Sequence, residues 1–400
     1  MAGFLIVEGI TGSVLAFREP LDRLFAPQLV AAPRPGVPRL SLAALVRRAE
    51  ELVPSARVGY FSIEDRQAVM HLLPLAPRTG DAPGALGFDR LYLDPWTGRE
   101  LGRRREGDIS QGWINFIPFI YRLHMDLAAG STGLWVLGCV ALAWTMDCFI
   151  GLYLTLPVAL GRFLAHWKLA WLIKWRASAV RVNFDLHRAS GLWLWPLLFV
   201  FGWSSVMFNL NSVYEPVTAA LFDYRSGMDD VRMLRLRANS LPHLDWAAAQ
   251  AAGERLMAVE AARRGFRIER PYGMAYIREF GVYTYAVSAS VNIQHSAWTT
   301  SLWLDGTTGA LVKLDLPGGQ HAGNTLENWL RALHFADVRD WLIYRVLVCA
   351  LGLIITLLSV TGVYIWLKKR RARGFVRTLQ IGSTLESDPS GAAARRAGGT

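Results

Sequence analysis

Four long apolar stretches divide this chain and limit the folds open to it. They cover residues 1–17, 133–160, 191–210 and 341–367. A helix needs about 20 apolar residues to cross a bilayer, so each is a candidate membrane span, the first being shorter than the rest. Hydrophobic residues make up 52% of the 400, which favours a membrane protein with sizeable connections over soluble domains. The sequence predicts a mainly α membrane protein with a four-transmembrane-helix bundle.

Two short motifs occur twice at nearly the same spacing. Leu123-His124 precedes the second apolar stretch and Leu333-His334 precedes the fourth, with the histidines 210 positions apart. An Asp-x-x-Thr-Gly turn begins at Asp94 and recurs at Asp305, 211 positions later. Repetition in one register indicates related structural units. We therefore expect two pseudo-symmetric halves.

The net charge of +11 is concentrated in two segments. Residues 161–186 and 368–400 together hold 13 basic and three acidic residues. Basic residues confined to alternate connections are typical of the cytoplasmic side of a membrane protein. This predicts a membrane protein with both termini in the cytoplasm and its long connections on the opposite side; in a bacterial inner membrane that side is the periplasm. The charge therefore indicates a lipid membrane, and no nucleic-acid partner is expected.

The pattern of spans and connections divides the chain into eight segments. Helical periodicity at 42–52 and 246–264, with short β-prone runs after each, predicts an α+β fold for both long connections. The expected segments are a first transmembrane helix at 1–17, a periplasmic domain at 18–112, a histidine-bearing helix plus the second span at 113–160, a basic loop at 161–186, the third span at 187–212, a second periplasmic domain at 213–325, a histidine-bearing helix plus the fourth span at 326–367, and a basic, disordered tail at 368–400.

The first helix is expected to be truncated at its N-terminus. Gly12-Ser13-Val14 aligns with Ser204-Ser205-Val206 of the third span. At that offset the counterpart of His187 would fall before Met1.

Three of the eight histidines lie at the ends of predicted spans: His124, His187 and His334. A single one could be a helix-end residue facing water, but ionisable groups beside a bilayer are costly and often mark function. Because His124 and His334 recur in register, a two-fold packing of the halves would make them face each other. Facing histidines in a helical bundle are suited to b-type haem. Zinc would require further ligands nearby.

The depth and the neighbours of these histidines suggest further roles. Straight helices would place His124 and His334 well above the acyl core, and residues 130–133 offer a place to bend back. His187, at the cytoplasmic end, would hold a second haem. Arg122 and Arg331 could pair with haem propionates, although arginines reaching toward the membrane interface explain them equally well.

With these features the sequence resembles the PepSY-associated transmembrane helix family over almost its whole length. The Leu-His pairs, the Asp-x-x-Thr-Gly turns and the Gly-x-Tyr motifs at Gly151 and Gly362 carry the resemblance. Within the family the chain looks like the inner-membrane siderophore-iron reductases. The resemblance implies two PepSY-like domains, haem b on His124 and His334 with His187 as an inner ligand, and reduction of ferric siderophore to release Fe(II). Family members usually carry a His-Arg-Trp-like motif before the first span, which this chain lacks.

The resulting hypothesis is a haem-b reductase, with one or two haems, supplied by a cytoplasmic or quinol electron donor. Two alternatives stay open at this point. A membrane-tethered PepSY protein could bind or regulate a partner, with the histidines structural. An iron-chelate transporter would instead use mid-span polar groups, of which Glu8 and Asp147 are the acids. Aromatic residues of the second outer domain, among them Tyr283, Tyr285 and Trp298, could contact the chelate or form the sheet core.

Overall fold

The computed structural model describes residues 1–75, 86–158, 161–226, 243–295, 297–339 and 341–386. The helices are α1 (Ala2–Leu15), α2 (Arg18–Phe25), α3 (Leu42–Leu52), α4 (Phe116–Asp126), α5 (Ser131–Thr155), α6 (Phe163–Trp167), α7 (Ala179–Trp193), α8 (Trp195–Asn209), α9 (Asn211–Leu221), α10 (Trp246–Arg264), α11 (Ala322–His334) and α12 (Leu342–Glu386). The strands are β1 (Ala56–Ile63), β2 (Ala68–Pro74), β3 (Arg90–Leu93), β4 (Glu100–Arg104), β5 (Ile268–Ile277), β6 (Val282–Ala289), β7 (Ser301–Asp305) and β8 (Leu311–Asp315).

Local sequence signals set the two helices that pack on the sheet. Ser41 accepts a hydrogen bond from the backbone N–H of Ala44 at 3.2 Å and caps α3. Asp245 caps α10 in the same way, from Ala248 at 2.8 Å. These side chains satisfy N–H groups that the first helical turn leaves unpaired. Both helices therefore cover the ranges that periodicity predicts.

All eight strands form one antiparallel sheet in the order β4-β3-β2-β1-β5-β6-β7-β8. The first-half and second-half strands meet where β1 pairs with β5, with Tyr60 opposite Ala275 and Ser62 opposite Gly273. The segments expected as two separate domains therefore share one sheet. Helices α3 and α10 cover one face of it, and buried side chains of both halves fill a common core.

The repeated turn motif has the same structure in both halves. Asp94 Oδ1 accepts hydrogen bonds from the backbone N–H groups of Trp96 and Thr97, at 2.8 and 3.3 Å. Asp305 Oδ1 does the same at 2.9 and 2.8 Å. These aspartate turns connect β3 to β4 and β7 to β8.

The apolar helices include two that are long enough to cross a membrane, α5 and residues 342–370 of α12. The predicted span at 191–210 is not one straight helix, because α7 and α8 meet at an angle of 70°. Pro196 lies in the first turn of α8. It has no N–H to donate to the preceding turn, and its ring would clash with that turn if α7 continued as one straight helix. The bent pair would be a third crossing, whereas α1 is apolar but only 14 residues long.

The membrane helices of the two halves pack in exchanged pairs, α1 against α12 and α5 against α8. A Cβ added to Gly9 would lie 2.5 Å from the hydroxyl of Thr356, and one added to Gly202 would lie 3.0 Å from that of Thr145. The threonines are 211 positions apart and the glycines 193. The same close helix crossing thus occurs twice, with the glycine supplied once by each half.

The C-terminal segment differs from the expectation of a disordered tail beginning at residue 368. Helix α12 continues to Glu386, well past the predicted end of the fourth span at residue 367. The remaining part of that expectation, residues 387–400, lies outside the described residues.

Candidate functional site

Tight turns bring the two outer histidines back beside the membrane helices. Helix α4 ends at Asp126, and Leu127, Ala128 and Gly130 have positive φ angles of 55, 53 and 62° before α5 begins. Ala336 makes a similar turn between α11 and α12, with φ 51°. Helices α4 and α11 therefore lie beside α1 and α8 rather than extending α5 and α12 outward. The first half bends at the segment 130–133 that the sequence offers for a bend, whereas the second half bends at Ala336.

The rings of His124 and His334 face each other with their centres 6.2 Å apart and their planes inclined by 58°. Two imidazole nitrogens bound to one metal at about 2 Å each lie roughly 4 Å apart, with ring centres about 2 Å further apart. The observed separation therefore fits two imidazoles that share one metal ion.

Hydroxyl groups fix the orientation of both rings. Thr11 Oγ1 lies 2.9 Å from His124 Nδ1, and Ser204 Oγ lies 2.7 Å from His334 Nδ1. Each hydroxyl donates its own proton to a backbone carbonyl in the preceding turn. Its oxygen is then left to accept a hydrogen bond from Nδ1–H. This assigns the lone pair to Nε2 on both rings, the atom that a metal would bind.

The ring of His334 is neutral as well as oriented. Burial, with smaller contributions from His124 and Arg331, lowers the pKa of His334 to about 3. A neutral imidazole is the form that binds a metal. Sequence reasoning had no means of finding this, because the effect depends on the tertiary packing.

A cavity of about 1120 Å³ extends from the histidine pair to the face of the sheet that α3 and α10 leave uncovered. Its membrane-side wall is mostly apolar and includes Leu137, Phe201, Phe208, Val348, Leu351 and Ile355. Its sheet-side wall carries hydrogen-bonding groups, among them Tyr60, His71, Arg90, Arg270 and Tyr272. His71 stacks on Tyr60 with ring centres 3.5 Å apart.

A family profile described as PepSY-associated TM region matches residues 1–369. The chain belongs to this family. The matched range includes both outer histidines and both halves of the sheet, and it confirms the resemblance found in the sequence. It also supports a membrane-associated protein. A search of the curated proteins finds no match.

In this PepSY-associated protein, helix α1 of the first half corresponds to helix α8 of the second half at an offset of 193 positions. Thr11 and Ser204 occupy equivalent positions, since each bonds the histidine of its own half. The sequence alignment that paired Gly12 with Ser204 is therefore wrong by one residue. The signal was present in the sequence, but small side chains at three consecutive positions fit either register.

The arginines expected beside the histidines lie outside the cavity lining. Arg331 pairs with Glu327 at 3.2 Å and lies over the ring of Phe208, 5.1 Å from its centre. The side chain of Arg122 lies against Gly107. The arginines that line the cavity from the helix side are instead Arg18, Arg23 and Arg345.

His187 lies apart from the facing pair. Its Nδ1 is 3.3 Å from Thr361 Oγ1, and a Cβ added to Gly362 would lie 3.3 Å from its ring. Gly362, the glycine of the second Gly-x-Tyr motif, therefore makes room for His187. The first-half glycine, Gly151, has open space beside it. The role of His187 as a ligand of a second haem stays a prediction.

The second-half aromatic residues divide between the core and the cavity wall. Tyr283 and Tyr285 are each 2% exposed and belong to the sheet core. Trp298 packs edge-on against Tyr272, with ring centres 6.0 Å apart. Of these three candidates, only Trp298 lies next to a residue that lines the cavity.

Proposed function

We propose that this PepSY-associated protein is a haem-b-containing membrane reductase that passes electrons to a ferric chelate, such as a ferric siderophore, and so releases Fe(II). The observation that carries the proposal is the approach of His124 and His334 across the internal symmetry, with Nδ1 of each ring occupied and Nε2 left to bind. These two residues would hold the haem iron.

The residues around the pair have separable tasks. Haem, when bound, supplies a one-electron carrier whose potential depends on its ligands and surroundings. Thr11 and Ser204 hold the imidazole rings in the binding orientation. The apolar wall formed by helices of both halves excludes water from the ligands and provides a surface for a flat hydrophobic group.

The sheet-side wall of the cavity suits the proposed substrate. Ferric iron is a hard cation that chelators hold through oxygen atoms, so a ferric chelate presents many hydrogen-bond acceptors. Arg270 and the phenols of Tyr60 and Tyr272 present donors on this wall. A chelate bound there would accept an electron across the cavity without entering the membrane.

The membrane arrangement forms part of the same proposal. We propose four crossings in a bacterial inner membrane, with α1 and the bent pair α7–α8 added to the two long helices. The basic residues of 161–186 and of the end of α12 favour a cytoplasmic location for both. The sheet would then be periplasmic, and electrons would come from a cytoplasmic or quinol donor.

A visible spectrum of the purified protein tests the proposal. We expect the reduced wild type to show the sharp α-band of bis-histidine haem, and His124→Ala and His334→Ala to lose it. His166→Ala is the matched control, since His166 is exposed in the basic loop. Reduction of a ferric chelate, followed with an Fe(II)-trapping dye, should be lost in the same two variants.

Two results would contradict the proposal. Wild-type protein without haem, isolated from haem-supplied cells, would favour a membrane-tethered PepSY binding protein. Uptake of intact chelate into vesicles without Fe(II) release would favour a transporter.

A further inference from the structure

The two facing histidines have different surroundings although the halves are related by symmetry. His124 Nδ1 lies 3.0 Å from Glu8 Oε2 as well as 2.9 Å from the Thr11 hydroxyl. At the offset of 193, the position equivalent to Glu8 is Phe201, whose ring centre lies 5.2 Å from that of His334. One ring thus faces a carboxylate, and the other faces an aromatic ring.

The carboxylate of Glu8 depends on this contact. It projects from the apolar helix α1, and its second oxygen, Oε1, is buried without a hydrogen-bond partner among the described residues. A carboxylate in apolar surroundings is costly unless it is paired. The Nδ1–H of His124, which donates to the Thr11 hydroxyl 2.9 Å away, also places its positive end beside this carboxylate, with Nδ1 3.0 Å from Oε2.

A carboxylate that accepts the Nδ1–H of a metal-binding histidine makes the other ring nitrogen a stronger electron donor. Stronger donation favours the ferric over the ferrous state and so lowers the reduction potential of haem iron. The neutral hydroxyl of Ser204 polarises His334 much less. A lower potential is what a donor to tightly chelated Fe(III) requires.

We propose that Glu8 sets a low midpoint potential at this site by making His124 the more strongly donating of two unequal ligands. The inference depends on the proposed function, since it presupposes haem between the two rings. Glu8 is a positioning residue here, because it acts on the iron through His124.

The test is a spectroscopic redox titration of purified haem protein at one pH. Glu8→Gln removes the charge but keeps an oxygen that can accept from Nδ1–H, so we expect haem to stay bound and the midpoint potential to rise. Glu8→Asp keeps the negative charge but moves it away from the His124 ring. Its midpoint potential should lie between those of the wild type and Glu8→Gln. Glu19→Gln is the matched control, because Glu19 is a carboxylate lining the same cavity. Its midpoint should shift less than that of Glu8→Gln.

Each other outcome has a definite meaning. A Glu8→Gln midpoint that is unchanged or lower overturns the proposal, and so does a shift no larger than that of Glu19→Gln. Loss of haem from folded Glu8→Gln also overturns it, since Glu8 would then be needed for binding. If Glu8→Gln does not fold, an unchanged midpoint in Glu8→Asp overturns it. A wild type without haem would instead defeat the proposed function.

Discussion

Ser204 and Thr11 show how much a single hydroxyl contributes to the histidine pair. Neither residue type is unusual in a membrane helix, where hydroxyls often bond the preceding turn. Here that local bond takes up the hydroxyl proton, and the oxygen is then oriented to accept from a histidine. The tautomer of each ring is therefore set from a different helix than the one that carries it.

We expect Ser204→Ala to weaken haem binding by about tenfold, because groups that orient metal-ligating histidines typically contribute 10–100-fold in affinity. Ser205→Ala is the control, since the hydroxyl of Ser205 bonds a backbone carbonyl and no histidine. Haem transfer to an acceptor protein measures the affinity. Equal transfer rates in the two variants would contradict a role for Ser204 in holding the ring.

The arginines give a second prediction at this scale. An anionic group bound in the cavity would meet Arg345, whose side chain is 23% exposed and 4.0 Å from its carboxylate partner. Arg331 is bonded to Glu327 within its own helix and lies outside the cavity lining. We expect Arg345→Gln to weaken haem binding several-fold by loss of a charge-assisted contact. Arg331→Gln should change haem affinity less than twofold. A larger loss of affinity in Arg331→Gln than in Arg345→Gln would instead support Arg331 as the partner of a haem propionate.

At the scale of elements, the pairing of α1 with α12 depends on glycines that allow close approach. A Cβ on Gly9 would lie 2.5 Å from the backbone oxygen of Gly352, which no real side chain tolerates. Small residues serve this purpose in membrane helix pairs, where there is little hydrophobic force to draw the helices together.

Gly9→Ala should therefore destabilise the protein by about 1–3 kcal/mol, the usual cost of an overpacked contact. Gly3→Ala, in the same helix but with nothing within 4 Å of the added Cβ, should be neutral or slightly stabilising through helix propensity. Thermal unfolding in detergent, followed by circular dichroism, compares the two. Equal midpoints would mean that the α1–α12 crossing is looser than the structure shows.

Elements defined by local signals are the ones that the sequence predicts well. Helices α3 and α10 match because each has an N-cap residue, and α3 also has a clear apolar period. The edge strands β4 and β8 are not marked by local signals, because Glu100–Arg104 and Leu311–Asp315 contain few of the β-branched and aromatic residues typical of strands. The bend at Leu194 is also missed, although Pro196 is visible, because proline is tolerated in the first turn of a helix as well as at a kink.

At the scale of the whole molecule, the internal repeat predicts the pairing of His124 with His334 but not the joining of the sheets. The β1–β5 contact links Tyr60 to Ala275, more than 200 residues later, and no local pattern specifies such a pairing. The asymmetric features, Glu8 against Phe201 among them, could not be assigned from the repeat. When the sequences of α1 and α8 are aligned one residue out of register, Glu8 is not matched with Phe201.

The contacts between halves predict that the protein survives as a complex when its chain is cut. A protease site inserted after Arg176, in an exposed part of the basic loop, separates α1–α6 with β1–β4 from α7–α12 with β5–β8. Each half also buries apolar surface against the other, through the sheet junction and both exchanged helix pairs. After cleavage we expect an affinity tag on one half to retain the other in mild detergent, with the haem α-band intact. Gly9→Leu, which would push α1 away from α12, should lower the retained fraction. Separation of the wild-type halves under these conditions would show that the covalent loop, rather than the packing, keeps His124 opposite His334.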